Sequence, residues 1–554
     1  MMRPRFIQAA FVAATLLRAF SAFAEDPVTT SSSVPEVRLP DMEEEARSVA
    51  PRDVEAPLPP LKALPLPVSE PPLPAERELS IPESAYRTQA TLDTSARTAL
   101  GETFTEASVG AGLWDAISAN LSIYRPDADP SFSMTFAHDS KDGFAFHEAG
   151  QGFYERRTAL SGRVRGMFDQ VNTWGFSAGF SDEAVGLQGK STDFYGITHR
   201  YFDVRGDYKR ILGSVLGGSL DASAVVKAYS ASRAFELANS SPTGVLGVDE
   251  LSASPNVGIA LRYQKLALLL NGEYDFRGLF GLADGVPPLD RLSHRGRADL
   301  SAQWDVSSSL DLKAAVGFAS SSSFPVLVPF SLSADAGLGG FASLSLDGGL
   351  RTETTRFSVL WRDNPYLDIG SLPPDDARWY VGSKIDFFLV PGLTAVVGVD
   401  WAKSFSGGGR VVPVYNYNGG RALYNYSIAE YNTFQSKIGL RWLKGPVSFS
   451  MRWESDWMDA PVVGETQRLK VELEYRERNE SFGGAFSGSL GFAGTQLSVP
   501  ILDASGFVRL SPEIRLIAEF NDAAAAFLGK EGRTRWSPYL TSGFQASARI
   551  LISL

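Results

Sequence analysis

Cysteine is absent from the 554 residues, and histidine occurs only at 138, 147, 199 and 294. The first absence excludes a disulfide framework and a lipid-attachment cysteine. Together the two exclude a transition-metal site of ordinary type, and no cofactor is expected. Also missing is any run of about 18 uninterrupted apolar residues, so no segment is suited to cross a membrane as a helix. An excess of cations is lacking too: 52 Lys and Arg stand against 63 Asp and Glu, a net charge of −11. Such a balance excludes a nucleic-acid binder.

What the chain does contain is strand-like alternation, from about residue 104 to Leu554. In Val447-Ser448-Phe449-Ser450-Met451-Arg452-Trp453-Glu454 apolar and polar residues exchange at every step. In Leu469-Lys470-Val471-Glu472-Leu473-Glu474-Tyr475-Arg476 one face is wholly apolar and the other carries four charges. Because successive side chains point to opposite faces of a strand, such segments suit a wall between lipid and a wet lumen. The expected fold is all-β, a transmembrane antiparallel β-barrel of about 22 strands, within 20 to 24.

Eleven strands are read between 104 and 320 and eleven between 338 and 554, the second group including 338–351 and 354–362. An even count puts both chain ends on one side. With a periplasmic N-terminus, the short connections at 307–308, 352–353, 390–391, 445–446, 479–480 and 511–512 fall on the periplasmic side. Long ones at 140–153, 183–193, 231–253, 277–293, 321–337, 363–377, 405–431 and 522–542 fall outside. Residues 328–337 also alternate; they are assigned to a loop to keep this parity.

The N-terminus reads as an export signal over residues 1–24. Arg3 and Arg5 precede an apolar run from Phe6 to Leu17, and Ala22-Phe23-Ala24 presents small residues at the two positions read before cleavage. Removing it takes away Arg3, Arg5 and Arg18 and no acid, so −11 becomes −14. Residues 25–95 form an acidic, proline-rich periplasmic tail, and 96–554 the barrel. Thirteen prolines between 25 and 85 exclude a helix or central strand. Extended polyproline conformations, at about 3.1 Å per residue, are expected instead, in a tail that is otherwise disordered. The tail serves either as a solvated spacer or as a ligand for a periplasmic partner.

Phe544, Ala546, Ala548, Ile550, Ile552 and Leu554 share one face of the last strand. This resembles the C-terminal signal by which the barrel-assembly machinery recognises its clients, with Leu554 in place of the usual aromatic. Trp304, Trp361, Trp379, Trp401, Trp442 and Trp457 lie near expected strand ends, where amphipathic rings favour the two membrane interfaces. Strand number and alternation, with stretches such as Phe176-Ser177-Ala178-Gly179-Phe180-Ser181-Asp182 and Gly186-Leu187-Gln188-Gly189-Lys190, resemble the barrel of TonB-dependent receptors. That resemblance covers residues 101 to 554. It implies an outer-membrane location among lipids and a role as channel or receptor-like transporter. The chain departs from it at the N-terminus, where the proline-rich tail occupies the place of a plug that it cannot fold into. Glu78-Leu79-Ser80-Ile81-Pro82 is the one candidate for an energy-coupling box. The nearest likeness is therefore to plugless members of that group.

A barrel of this size encloses a lumen too wide for its own side chains to fill. The expected lumen-lining residues are Arg157, Arg163, Arg165, Arg262, Glu273, Asp275, Arg297, Asp299, Lys437, Arg441, Arg452, Glu454, Lys470, Glu472, Glu474 and Arg476. Mixed signs on neighbouring strands favour pairing across the wall, and the basic stripe at 157–165 is the alternative, an anion-selective feature. In the loop 405–431, Tyr415, Tyr417, Tyr424 and Tyr426 beside Asn416, Asn418 and Asn425 are candidates for extracellular ligand contact, since rigid aromatics give area at low entropic cost. The same loop could fold into the lumen or stand above the membrane as a hairpin. A surface adhesin or structural anchor acting through such loops is the alternative function. His138 and Ser140 resemble the His-x-Ser pair of outer-membrane lipid hydrolases, but Lys141-Asp142-Gly143 follows where that family has Asn-Gly. The chain is accordingly read as a non-enzyme.

Overall fold

The computed structural model describes residues 103–554 except 127, 146, 216, 238–247, 281–291, 325, 406–408, 416–421, 459–465, 494–495 and 529–533. The export signal, the proline-rich tail, the candidate coupling box and Tyr417 lie outside the described residues.

The sheet follows chain order, each strand antiparallel to the next. It closes where the first strand, Phe104–Gly112, pairs with the last, Gln545–Ser553. Backbone bonds between Thr105 N and Leu554 O (2.9 Å) and between Leu554 N and Thr105 O (2.8 Å) seal that seam. Of its 23 strands, Gln496–Leu497 is a two-residue extension beside Phe482–Ala493. The wall therefore has 22 strands, as expected. A closed barrel has no free edge and satisfies every wall amide internally, as a span through hydrocarbon requires.

Two of the expected elements need correction, and they compensate. Residues 328–337 are not a loop: Phe330–Leu338 is a wall strand. Residues 354–362 are not a strand: Phe357–Asp363 is a helix, and the preceding strand is Ala342–Glu353. The short turn expected at 352–353 is instead at 339–341, where Gly339 takes φ +64°. Phe357, Val359 and Trp361 do alternate, but Phe357, Leu360 and Trp361 also share a helical face, and in a run this short periodicity alone does not decide between them.

Alternation shows directly in exposure. Tyr201, Glu250 and Leu279 are buried while their neighbours Phe202, Leu251 and Phe280 are exposed. Trp304, Trp379, Trp401, Trp442 and Trp457 pair in register with residues of the apolar outer face. Trp361 does not join them; it is buried on the helix Phe357–Asp363. A closed barrel with an apolar outer band places the protein in the outer membrane.

The strands outrun the bilayer. Phe194–Val215 has 22 residues and Gly218–Leu237 has 20, whereas about 9–11 tilted residues cross. Pairing continues past the expected ends because neighbouring backbones keep satisfying each other. The excess builds a tall rim at the end of the long loops, and the functional candidate sits inside it.

Candidate functional site: a loop lid against the inner wall

The connection 354–375, between Ala342–Glu353 and Asp376–Val390, folds against the inner face of the wall. Phe357, Trp361, Leu367 and Ile369 are each 1% exposed or less. They form one apolar cluster with Ile197 and Tyr201 of Phe194–Val215, Tyr229, Ala231 and Phe235 of Gly218–Leu237, and Leu279 of Leu266–Phe280. Those wall residues belong to the face opposite Phe202, Leu251 and Phe280, so the cluster lies in the lumen.

Charges fix the lid's orientation. Arg277 Nε donates to Glu250 Oε1 at 3.0 Å, and its Nη2 donates to Thr355 O at 2.9 Å. Glu250 Oε2 accepts from the Phe357 backbone N–H at 2.9 Å, the first turn of the helix. Arg356, the N-cap residue, supplies no side-chain cap, so a carboxylate from the wall satisfies an amide that the local sequence leaves unpaired. Ser358 N–H donates to Tyr229 Oη at 2.9 Å. Arg233 donates to Leu367 O at 3.0 Å and pairs with Asp368 at 2.7 Å. Arg362, at the helix end, donates to Glu183 at 3.2 Å and to Ser181 Oγ at 3.1 Å. His199, buried, lies against Trp361 with ring centroids 4.9 Å apart.

Two further loops close over the lid. The hairpin Arg410–Tyr415 with Tyr424–Ala429 joins it edge-on: Tyr424 N–H donates to Tyr366 O (2.9 Å) and Asp368 N–H to Tyr424 O (2.7 Å). Tyr366 stacks on Tyr539 with centroids 3.5 Å apart and planes 5° apart. Trp536 Nε1 donates to Asp363 O at 3.0 Å. Gln188 exchanges two 2.8 Å bonds with the Leu540 backbone, tying this loop to the rim. Burial pushes the Tyr366 hydroxyl well above the ordinary tyrosine range. Tyr431, whose hydroxyl donates to Asp376 at 2.5 Å, is raised by burial and then by that carboxylate. Such a lid can obstruct the lumen while remaining a loop, held by contacts that are lost together.

The sixteen expected lining residues share the inward register, and most find partners of opposite sign. Arg157 pairs with Glu183 at 3.5 Å, on the same carboxylate that takes Arg362 of the lid. Arg262 reaches Asp221 (3.8 Å), while Glu273 (3.7 Å) and Asp275 (4.0 Å) flank Arg295. Arg297 bonds to Asp299. On the far wall Lys437 meets Asp400 (3.1 Å), Arg452 meets Glu454 (3.6 Å), Lys470 meets Glu472 (3.0 Å) and Arg476 meets Glu474 (2.8 Å). Arg163 lies opposite Ser133 and Ser177, Arg165 opposite Ser131 and Gly175, and Arg441 opposite Thr394 and Ser450.

Of the tyrosines, Tyr415 ends its hairpin strand opposite Tyr424. Tyr424 is buried in the lid cluster, and Tyr426 donates to Ser371 O at 3.1 Å. His138 bonds to Thr158 Oγ1 at 2.9 Å, and Ser140 lies opposite Ile117 and Arg156 on the outer face. Sequence reasoning missed Glu250, Arg277, Arg233 and Trp361. The first three fall in segments read as loops, although Glu250-Leu251-Ser252-Ala253-Ser254 continues the alternation.

No protein-family model matches the sequence, and no curated protein does. Similarity lies in the fold, with solved barrels. The ferric enterobactin receptor PfeA of Pseudomonas aeruginosa has TM-score 0.58 at 13% identity, covering 83% of this chain and 81% of that one. The FrpB iron transporter of Neisseria meningitidis has TM-score 0.59 at 11% identity, with 82% and 81% covered. The copper transporter OprC has TM-score 0.60 at 11% identity, with 82% and 80% covered. The fold is therefore that of the TonB-dependent receptor barrel, as the resemblance in sequence implied.

Proposed function

We propose that this barrel passes solutes across the outer membrane and that the 354–375 lid determines when its lumen is open. The carrying observation is the lid itself: an apolar cluster seated on the inner wall and oriented by Arg277, Glu250, Arg233 and Asp368. A wall of 22 strands cannot fill its own lumen, so what the loops place inside it sets its permeability. The transport named for FrpB and OprC supports this reading through shared architecture. Mixed-sign pairing along the wall favours a general polar conduit over an anion-selective one. The adhesin alternative has less support, because Tyr424 and Tyr539 are buried rather than displayed.

Single-channel conductance in planar bilayers tests the proposal. The native chain is compared with one in which residues 355–374 are replaced by a short Gly-Ser linker. Small or absent current that becomes large and steady in the lidless chain is the expected result. Equal large currents in both would remove the lid from the account, and silence in both would overturn passage through the lumen.

A further inference from the structure

The outer wall carries a hollow of about 490 Å³ bordered by Pro255, Val257, Gly272, Tyr274, Gly296 and Phe318. Register places it on the lipid-facing side: Val257, Gly272, Ala298 and Phe318 form one cross-strand row, with Val257 and Phe318 both exposed. Gly296 forms its floor, and a Cβ added there meets nothing within 4 Å.

Height along the wall identifies the leaflet. Trp304, 51% exposed, stands near the short-turn end of Leu292–Ser307, where the inner interface is expected. At about 3.3 Å per residue and a tilt of about 40°, Gly296 is about 20 Å above it and His294 about 25 Å. The apolar band of such barrels is about 25 Å tall. The hollow thus opens into the outer half of the hydrocarbon, and His294 sits at its outer boundary. There His294 Nδ1 bonds to Tyr274 Oη at 2.6 Å on the exposed face, directly above the hollow.

From this we infer that the hollow is a binding site for one acyl chain of an outer-leaflet lipid, whose polar head lies beside His294 and Tyr274. A chain-like apolar occupant fits because the floor and sides are glycine, aliphatic and aromatic surface, surrounded by hydrocarbon. Of the polar residues that border it, Ser320 and Tyr274 lie on its own face opposite Gly296, whereas Glu273 and Arg297 belong to the inward register.

Native mass spectrometry of the full-length protein in dodecylmaltoside, incubated with dioleoylphosphatidylglycerol, tests the site. Gly296→Leu fills the hollow. Gly206→Leu is the control, since a Cβ there also meets nothing within 4 Å while the position lies elsewhere on the outer face, opposite Phe176 and Val226. Heat-modifiability on gels establishes that each variant forms a barrel, and a Gly296→Ala variant replaces Gly296→Leu if that one does not. The expected result is one retained lipid for the native protein and for Gly206→Leu, with at least a tenfold lower occupancy for the filled hollow. Retention equal in all three, loss in both variants, or no retention by the native protein would each overturn the inference.

Discussion

Arg277 and Glu250 meet at 2.9 Å on adjacent wall strands, with side chains only 2% and 0% exposed. They are diagonal rather than directly opposite: Arg277 pairs in register with Ser252, and Glu250 with Leu279. The offset leaves the second oxygen of Glu250 free to take the Phe357 amide, while Arg277 Nη2, which also faces Glu250, donates to Thr355 O and Nη1 donates to Pro373 O. One ion pair of the wall therefore holds the start of the lid.

Breaking that pair from one side should release the lid without unfolding the barrel. Arg277→Met leaves Glu250 buried and unpaired, a change that typically costs about 3–5 kcal/mol. The cost falls on the lid-closed state, because a displaced lid lets water reach the carboxylate. Frequent openings in single-channel records and faster proteolysis between 354 and 375 are expected, with heat-modifiability unchanged. Glu250→Gln keeps an oxygen for the Phe357 amide and should give a milder effect.

Trp361→Ala tests the apolar half of the same contact. Removing a buried aromatic from a packed cluster costs about 3–5 kcal/mol, and here the ring also donates to Leu367 O at 3.2 Å. The open fraction of current should rise, whereas Trp304→Ala, a truncation on the outer face, should leave it unchanged. Equal conductance records for the two variants would contradict the assignment of Trp361 to the lid.

Alkaline pH should loosen the lid. The Tyr366 hydroxyl is raised by burial when the lid is closed, while in a displaced lid it titrates near its ordinary value of about 10. Its contribution to closure is complete below pH 10 and declines as pH rises above that value, since only the displaced lid can then lose the proton. Current recorded between pH 8 and 11 should increase, and Tyr366→Phe, which keeps the stack on Tyr539, should flatten the rise.

The proline-rich tail should be dispensable for barrel formation. Closure begins at Thr105 and uses nothing before it among the described residues. A chain beginning near Thr91 should give the same heat-modifiable species and the same conductance, whereas deletion of residues 545–554 removes the closing strand and should abolish both. A change in current on removing the tail would assign it a role at the lumen rather than that of a tether.

Alternation by itself determined the all-β wall and which residues share a face of each strand, with the tryptophans outward at five of six positions; the count of 22 also needed the parity of the chain ends, since residues 328–337 and 354–362 both alternate and only the first is a strand. A strand's side-chain period is two, so lipid and lumen faces can be read one residue at a time. The lid could not be read that way. Residues 354–362 satisfy both a strand and a helical pattern, and what decides between them lies over a hundred residues away, in Glu250, Tyr229 and Arg233. The helix starts without a local cap because a wall carboxylate supplies one, and Trp361 is buried because the barrel has an inside. Which loops turn inward was decided only by tertiary contacts, since sequence periodicity reports the face of a strand and says nothing about the path of the chain between strands.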